Sequence, residues 1–175
     1  FVMPMRKYSP IGCCGIDCGL CPRYYTAGES RCPGCGGEGF ENKHPSCAFV
    51  TCCVKKHGLN VCAQCGEFPC KKFDKETGEH DSFVTHRRVM ANQRRLAETG
   101  VDAFVKQQQP RIAFLEMALE HHDDSKSKSF YCLAAALLTV GSLQKALEQA
   151  QGGANLKSML TQYAQAEGQE LKLRK

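Results

Sequence analysis

Twelve of the thirteen cysteines of this 175-residue chain fall in the 58 residues from Cys13 to Cys70, and only Cys132 lies beyond them. A segment so rich in thiols, and also in Gly and polar residues, cannot build an ordinary apolar core, so cross-links or metal ions must hold it together. The rest of the chain has near-average composition, with 42% hydrophobic and 23% charged residues, which excludes wholesale disorder, a collagen-like fibre and a coiled-coil rod. Two regions with different physics therefore share one chain.

Structural disulfides fit poorly. The cysteine count is odd, and Cys18/Cys21, Cys32/Cys35 and Cys62/Cys65 are CxxC pairs, a spacing suited to a metal or a redox pair. Zinc fits better, because CPGCG at Cys32–Gly36 and CAQCG at Cys62–Gly66 set two thiolates on a turn that the following glycine allows to close tightly. In the adjacent pairs Cys13/Cys14 and Cys52/Cys53 the two side chains are expected to point apart. Ten cysteines then remain as ligands, enough for two four-thiolate ions. Burial as small hydrophobes is the default for Cys13, Cys53 and Cys132. Cys47 and Cys52 flank an expected short helix that starts at Pro45 and Ser46 and stops at Gly58. Their five-residue separation, about 140° on an α-helix, sets them awkwardly for one ion unless Cys47 precedes the first turn.

The alternative is an iron–sulfur cluster. Cys14-Gly-Ile-Asp-Cys18-Gly-Leu-Cys21 has the CxxxCxxC spacing that radical S-adenosylmethionine enzymes use, and Gly36-Gly37-Glu38 follows. Those enzymes need a long βα repeat after the motif, and the turn-rich segment here has none. The bacterial ferredoxin run is also absent.

The block CCGIDCGLCPRYY, then RCPGCGG, then SCAFVTCCVKKHGLNVCAQCGEFPCKKF, resembles the cysteine-rich domain-of-unknown-function family numbered 3795, over about residues 11 to 73. The resemblance implies zinc binding and carries no assigned activity. It maps the family's recurrent cysteines onto Cys14, Cys18, Cys21, Cys32, Cys35, Cys47, Cys52, Cys62, Cys65 and Cys70, with Cys13 and Cys53 outside the pattern.

Past residue 80 the composition turns helical, with helices expected near 81–99, 101–122, 129–139, 142–151 and 154–167. Gly100 reads as a stop, and Pro110 should kink or split the second helix. Ile112, Leu115 and Leu119 share one apolar face, and Leu143, Ala146, Leu147 and Ala150 another. The expected fold is mainly α: an irregular metal-binding region at 11–75, with knuckle-like turns and short helices, packed on a helical bundle at 76–175.

Function is less legible. Net charge is +5, but each zinc on four thiolates contributes a net −2, so two sites bring the chain to about +1 and the basicity points to no partner by itself. Arg87, Arg88, Arg94 and Arg95 fall within about 120° on a helical wheel, a ridge that would meet a protein or nucleic-acid partner or simply face water. Tyr24 and Tyr25 beside Arg23 would stack on a base or shield a metal from water. His44 and His57 are spare ligands, and His121-His122-Asp123-Asp124 reads as a polar helix end. No phosphate-binding glycine loop, catalytic triad or carboxylate pair has a convincing context, so no catalytic residue is named and enzyme activity stays open. The longest largely apolar run, Phe130 to Val140, is about half of the roughly 20 residues a bilayer needs. The opening FVMPMRKYSP lacks an export signal's apolar core, so a cytoplasmic location is expected, although the chain starts at Phe1.

Overall fold

The computed structural model describes residues 10–44 and 46–175; the export-signal expectation at the first nine residues and the helix-start expectation at Pro45 lie outside them. No strand occurs among the described residues. The helices are α1 (Phe40–Lys43), α2 (Val89–Thr99), α3 (Val101–His121), α4 (Lys128–Leu137), α5 (Val140–Gln151) and α6 (Leu156–Ala166). Short 3-10 turns at Cys18–Leu20, Cys62–Gln64 and Lys71–Phe73 and a π-helix at Val50–Lys56 complete the cysteine-rich part.

The C-terminal bundle is built around α4, whose residues Tyr131 to Leu137 are all buried. A helix apolar on every side has to be central: α3 and α5 pack on it with Leu115, Ala118, Leu143 and Ala146, and α6 packs on α5, adding Leu156 and Leu160 to the same core. Thr139 and Asn155 cap α5 and α6 by accepting the N–H of Ser142 and Ser158 at 3.2 and 3.0 Å. Arg111 of α3 donates to the carbonyls of Ala135 and Leu138 at 2.8 and 2.5 Å, where the end of α4 leaves acceptors without helical partners.

Two expectations are corrected here. The first helix begins at Val89 and not near residue 81, because Asp81 folds the preceding segment into a turn: its Oδ1 accepts the His86 N–H at 2.8 Å and the Thr85 hydroxyl at 3.2 Å. The second helix is not split at Pro110, which lies inside one helix from Val101 to His121. Pro110 and Lys106, whose carbonyl loses its intrahelical donor, are both exposed, so water can replace the missing bond.

The cysteine-rich segment has its own smaller core, in which Phe40, Val50, Val54 and Phe73 close around Cys13, Cys35, Cys53 and Cys62. A third cluster, of Ile11, Val61, Leu96, Val101 and Phe104, joins that segment to α2 and α3.

The junction is polar as well as apolar. Asn92 and Gln93 of α2 are 2% and 0% exposed. Asn92 Nδ2 donates to the Gly15 carbonyl at 2.9 Å and to Asp17 at 3.1 Å. Gln93 Nε2 donates to the Cys13 carbonyl at 2.8 Å, and its Oε1 accepts the Ala63 N–H at 2.8 Å. Gly15 sits at φ +97 against α2, where a Cβ would lie 2.8 Å from the Val89 carbonyl oxygen, so only glycine fits.

Replacing Gln93 by Leu should destabilise the protein by about 2 kcal/mol, because the buried Ala63 N–H loses its acceptor. Chemical denaturation measures this, and an unchanged midpoint would refute it. His86 Nδ1 lies 2.9 Å from Glu76 Oε2, and that hydrogen bond raises the imidazole above its usual range despite burial. The resulting stabilisation is fully present below the unfolded imidazole's value of about 6.5 and fades as pH rises through the raised value. The stability difference between the protein and Glu76→Gln, measured by chemical denaturation, should accordingly be largest below about pH 6.5 and shrink as pH rises above it.

Candidate metal centre

The Sγ atoms of Cys13, Cys53 and Cys62 lie within 4.8 Å of one another, and all three residues are buried. Three different local structures deliver them. Cys13 lies in the turn after Ile11, Cys53 on the π-helix, and Cys62 opens the CAQC knuckle. The Cys62 N–H donates to the Cys13 carbonyl at 2.8 Å, the same carbonyl that Gln93 grips, so the two cysteines are fixed to each other through the backbone. The Cys13 sulfur is also within hydrogen-bonding reach of Cys35.

Cys13 and Cys62 titrate high. The contacts with Cys35, Cys53 and Cys62, and then burial, push Cys13 far up. At Cys62 the bond with Cys13 pulls down, but Cys53 and burial outweigh it, and the thiol is pushed up to about 12. Without a cation they are neutral at ordinary pH.

The donor set suits a thiophilic ion. With Zn–S bonds of about 2.3 Å, sulfurs at the corners of a tetrahedron sit about 3.8 Å apart, a spacing compatible with three sulfurs that all lie within 4.8 Å of one another. The shell around them is apolar, which suits a closed site.

A second group of thiols lies next to the first. A Cβ on Gly12 would be 3.5 Å from Cys18 Sγ and 3.6 Å from Cys14 Sγ, so this glycine lets two sulfurs converge. Burial raises Cys14, Cys18 and Cys21, while backbone N–H groups act the other way: that of Ile16 on Cys14, that of Cys35 on Cys18, and those of Arg23 and Tyr24 on Cys21. Donors aimed at sulfur favour thiolate and are what a metal knuckle needs. Cys35 and Cys47 are electrostatic neighbours of Cys14, and Cys32 of Cys21. Cys14, Cys18 and Cys21 are not a group of three within the 4.8 Å limit.

The remaining cysteines of the family pattern border a cleft of about 30 Å³ lined by Cys52, Cys53, Cys62, Cys65, Cys70 and His57, with Phe49, Phe68 and Phe73 among its walls. The three-sulfur group takes one member of each adjacent pair, Cys13 and Cys53, and neither Cys14 nor Cys52. The π-helix gives Val50–Lys56 a wider turn, seen where the His57 N–H reaches the Cys52 carbonyl five residues back at 3.1 Å, and Cys52 and Cys53 both line the cleft. Cys13 and Cys53 are buried as expected, but they meet other thiols and not only hydrocarbon. No spacing in the sequence marks them; the only hint is that each adjoins a cysteine of the pattern. Cys132 is buried in the helical core.

The arginine ridge is also corrected. Arg87 lies before α2, and its guanidinium is bound to Asp81 at 3.2 Å, to the Glu170 carbonyl at 2.6 Å and to the Lys172 carbonyl, strapping the C-terminal residues to the turn before α2. Arg88 is half-buried, and Arg94 and Arg95 are exposed, the latter donating to Gln107 at 3.0 Å. Tyr25 packs on the helical core and donates to the Gly19 carbonyl at 2.7 Å, while Arg31 stacks over Tyr24 at 4.8 Å. His44 stacks on Phe40 at 4.8 Å. At the end of α3, Asp123 and Asp124 accept the N–H groups of Ser125 and Lys126, as a polar helix end should. No helix among the described residues is long and apolar enough to cross a membrane.

No curated protein and no solved structure matches the chain. The cysteine-rich segment at residues 10–75, which carries all of these thiols except Cys132, matches the model of the family described as Protein of unknown function (DUF3795).

Proposed function

We propose that this chain is a zinc-binding protein in which the metal is structural, holding the cysteine-rich segment as a module that meets a protein or nucleic-acid partner in the cytoplasm. The observation that carries the reading is the convergence of three buried sulfurs at a spacing compatible with one tetrahedral ion. The segment's small core supports it, since a cluster this size needs an additional tie to stay folded. Two ions, drawing on the cysteines of the family pattern, agree with the presence of more than one thiol group. Arg94 and Arg95 are the exposed members of the arginine set and the first candidates for partner contact.

A second reading has its own support. The backbone N–H groups aimed at Cys14, Cys18 and Cys21 would equally stabilise thiolates on an iron–sulfur cluster or a reactive thiol, which would make the chain a redox enzyme.

Anaerobic purification followed by analysis for zinc, iron and acid-labile sulfide separates the two. Zinc at about two per chain without iron supports the structural reading, and iron with sulfide and a brown colour overturns it. Because the raised thiols must lose protons to bind, zinc affinity should increase with pH across about pH 6 to 8, with acid released in weakly buffered solution; a flat profile would contradict thiolate ligation. Charge reversal at Arg94 and Arg95 should weaken binding to a labelled DNA duplex and flatten its salt dependence. A protein that ignores the duplex even at low salt does not use this face on nucleic acid.

A further inference from the structure

The spacings and the family pattern leave open which cysteines share an ion. Around Cys13 the structure is more specific. The sulfurs of Cys13, Cys53 and Cys62 lie within 4.8 Å of one another, while Cys35 meets Cys13 in the same small core but stands outside that group of three; Cys13, Cys35, Cys53 and Cys62 are 1%, 8%, 4% and 9% exposed. A thiol has one proton, so Cys13 can donate to only one of these neighbours; a single divalent ion at the centre would satisfy all four sulfurs together. As a thiol, Cys53 can also turn its proton toward the Leu59 carbonyl at 3.7 Å, a bond it would give up as a ligand.

The scaffold around the four is already in place. Gln93 and the Cys62 N–H hold the Cys13 carbonyl, and Gln93 also takes the Ala63 N–H, which fixes two of the ligands before any ion arrives. Phe40, Val50, Val54, Phe73 and Val89 pack in the same cluster and give the group an apolar surround, with Cys53 and Cys62 also bordering the cleft. Cys18, whose sulfur receives the Cys35 N–H, marks where the neighbouring thiol group begins.

We propose that Cys13, Cys53 and Cys62 hold a zinc ion and that Cys35 moves in from beside Cys13 to complete a closed four-thiolate site, two of whose ligands, Cys13 and Cys53, lie outside the family's cysteine pattern. The proposal rests on the reading of the chain as a zinc protein and names the ligands which that reading leaves open. A site with four protein thiolates has no position for water or substrate, so this ion is structural. Binding it replaces four S–H protons, released to solvent, by four Zn–S bonds with no change of oxidation state.

The experiment has two parts on the full chain. Zinc is counted in the protein, in the double variant Cys13→Ser/Cys53→Ser and in Cys132→Ala; the double variant should lose about one zinc per chain while Cys132→Ala keeps the full content. The unsubstituted protein is then exchanged with NMR-active cadmium, and cadmium-to-proton correlations identify the Hβ protons attached through each Cd–S bond. This second measurement decides the matter even where the variant does not fold. One cadmium resonance correlated with Cys13, Cys35, Cys53 and Cys62 is the expected result. Cadmium bound only to other cysteines overturns this site while leaving the zinc reading standing, and a protein that takes up neither zinc nor cadmium overturns both.

Discussion

Two side-chain amides on one helix hold the cysteine-rich segment in shape. That segment has no sheet and no long helix, so its backbone polar groups need partners from elsewhere, and Asn92 and Gln93 supply them from positions almost closed to water. A buried amide left without a partner is costly, so each bond specifies where the Cys13, Gly15 and Ala63 backbones must lie. The linkage extends further. Asp17 accepts from Asn92 and, at 2.5 Å, from Gln108 of α3, which couples the first cysteine turn to two helices at once. Burial raises this carboxyl, while Asn92, Arg88, Arg111 and Gln108 pull it back.

The division of labour follows from this arrangement. The helical bundle is stabilised by ordinary apolar burial around α4, and the cysteine segment by specific polar bonds and, in the proposed reading, by metal. Thiols that are neutral without an ion still pack as small hydrophobes, so the same cluster can be a tolerable core before loading and a tighter one afterwards. Turns that direct N–H groups at sulfur occur at Cys14, Cys18 and Cys21, whereas the cluster around Cys13 is dominated by contacts between thiols. Two kinds of sulfur environment therefore lie side by side, with Cys35 at their boundary.

Much of the helical half was legible because its signals are local: the apolar stripes of α3 and α5, the stop at Gly100 and the polar end at His121 all follow from neighbours in sequence. The CxxC pairs were legible for the same reason. What escaped depends on distant partners. Arg87 reads as one of a helical ridge until the Glu170 and Lys172 carbonyls, more than eighty residues away, are seen to occupy it. Residues 81–88 have helical composition, but the Asp81 carboxylate binds the backbone of His86 and Arg174 and holds a turn instead. Cys13 and Cys53 were hidden because the divergence of neighbouring side chains says that one of each pair faces an ion but not which one, and the choice is made by distant partners such as Cys62.

The π-helix also makes the cluster sensitive to chain length. A backbone wound with i to i+5 bonds holds one more residue per hydrogen-bonded turn than an α-helix, so Val50–Lys56 resembles an α-helical turn carrying an insertion. Deleting a single residue there would let the helix close to α geometry and rotate whatever follows by about 100°, moving Cys53 away from Cys13 and Cys62 without altering any cysteine. Relatives could therefore gain or lose this sulfur cluster by a one-codon insertion or deletion while their cysteine content stayed the same.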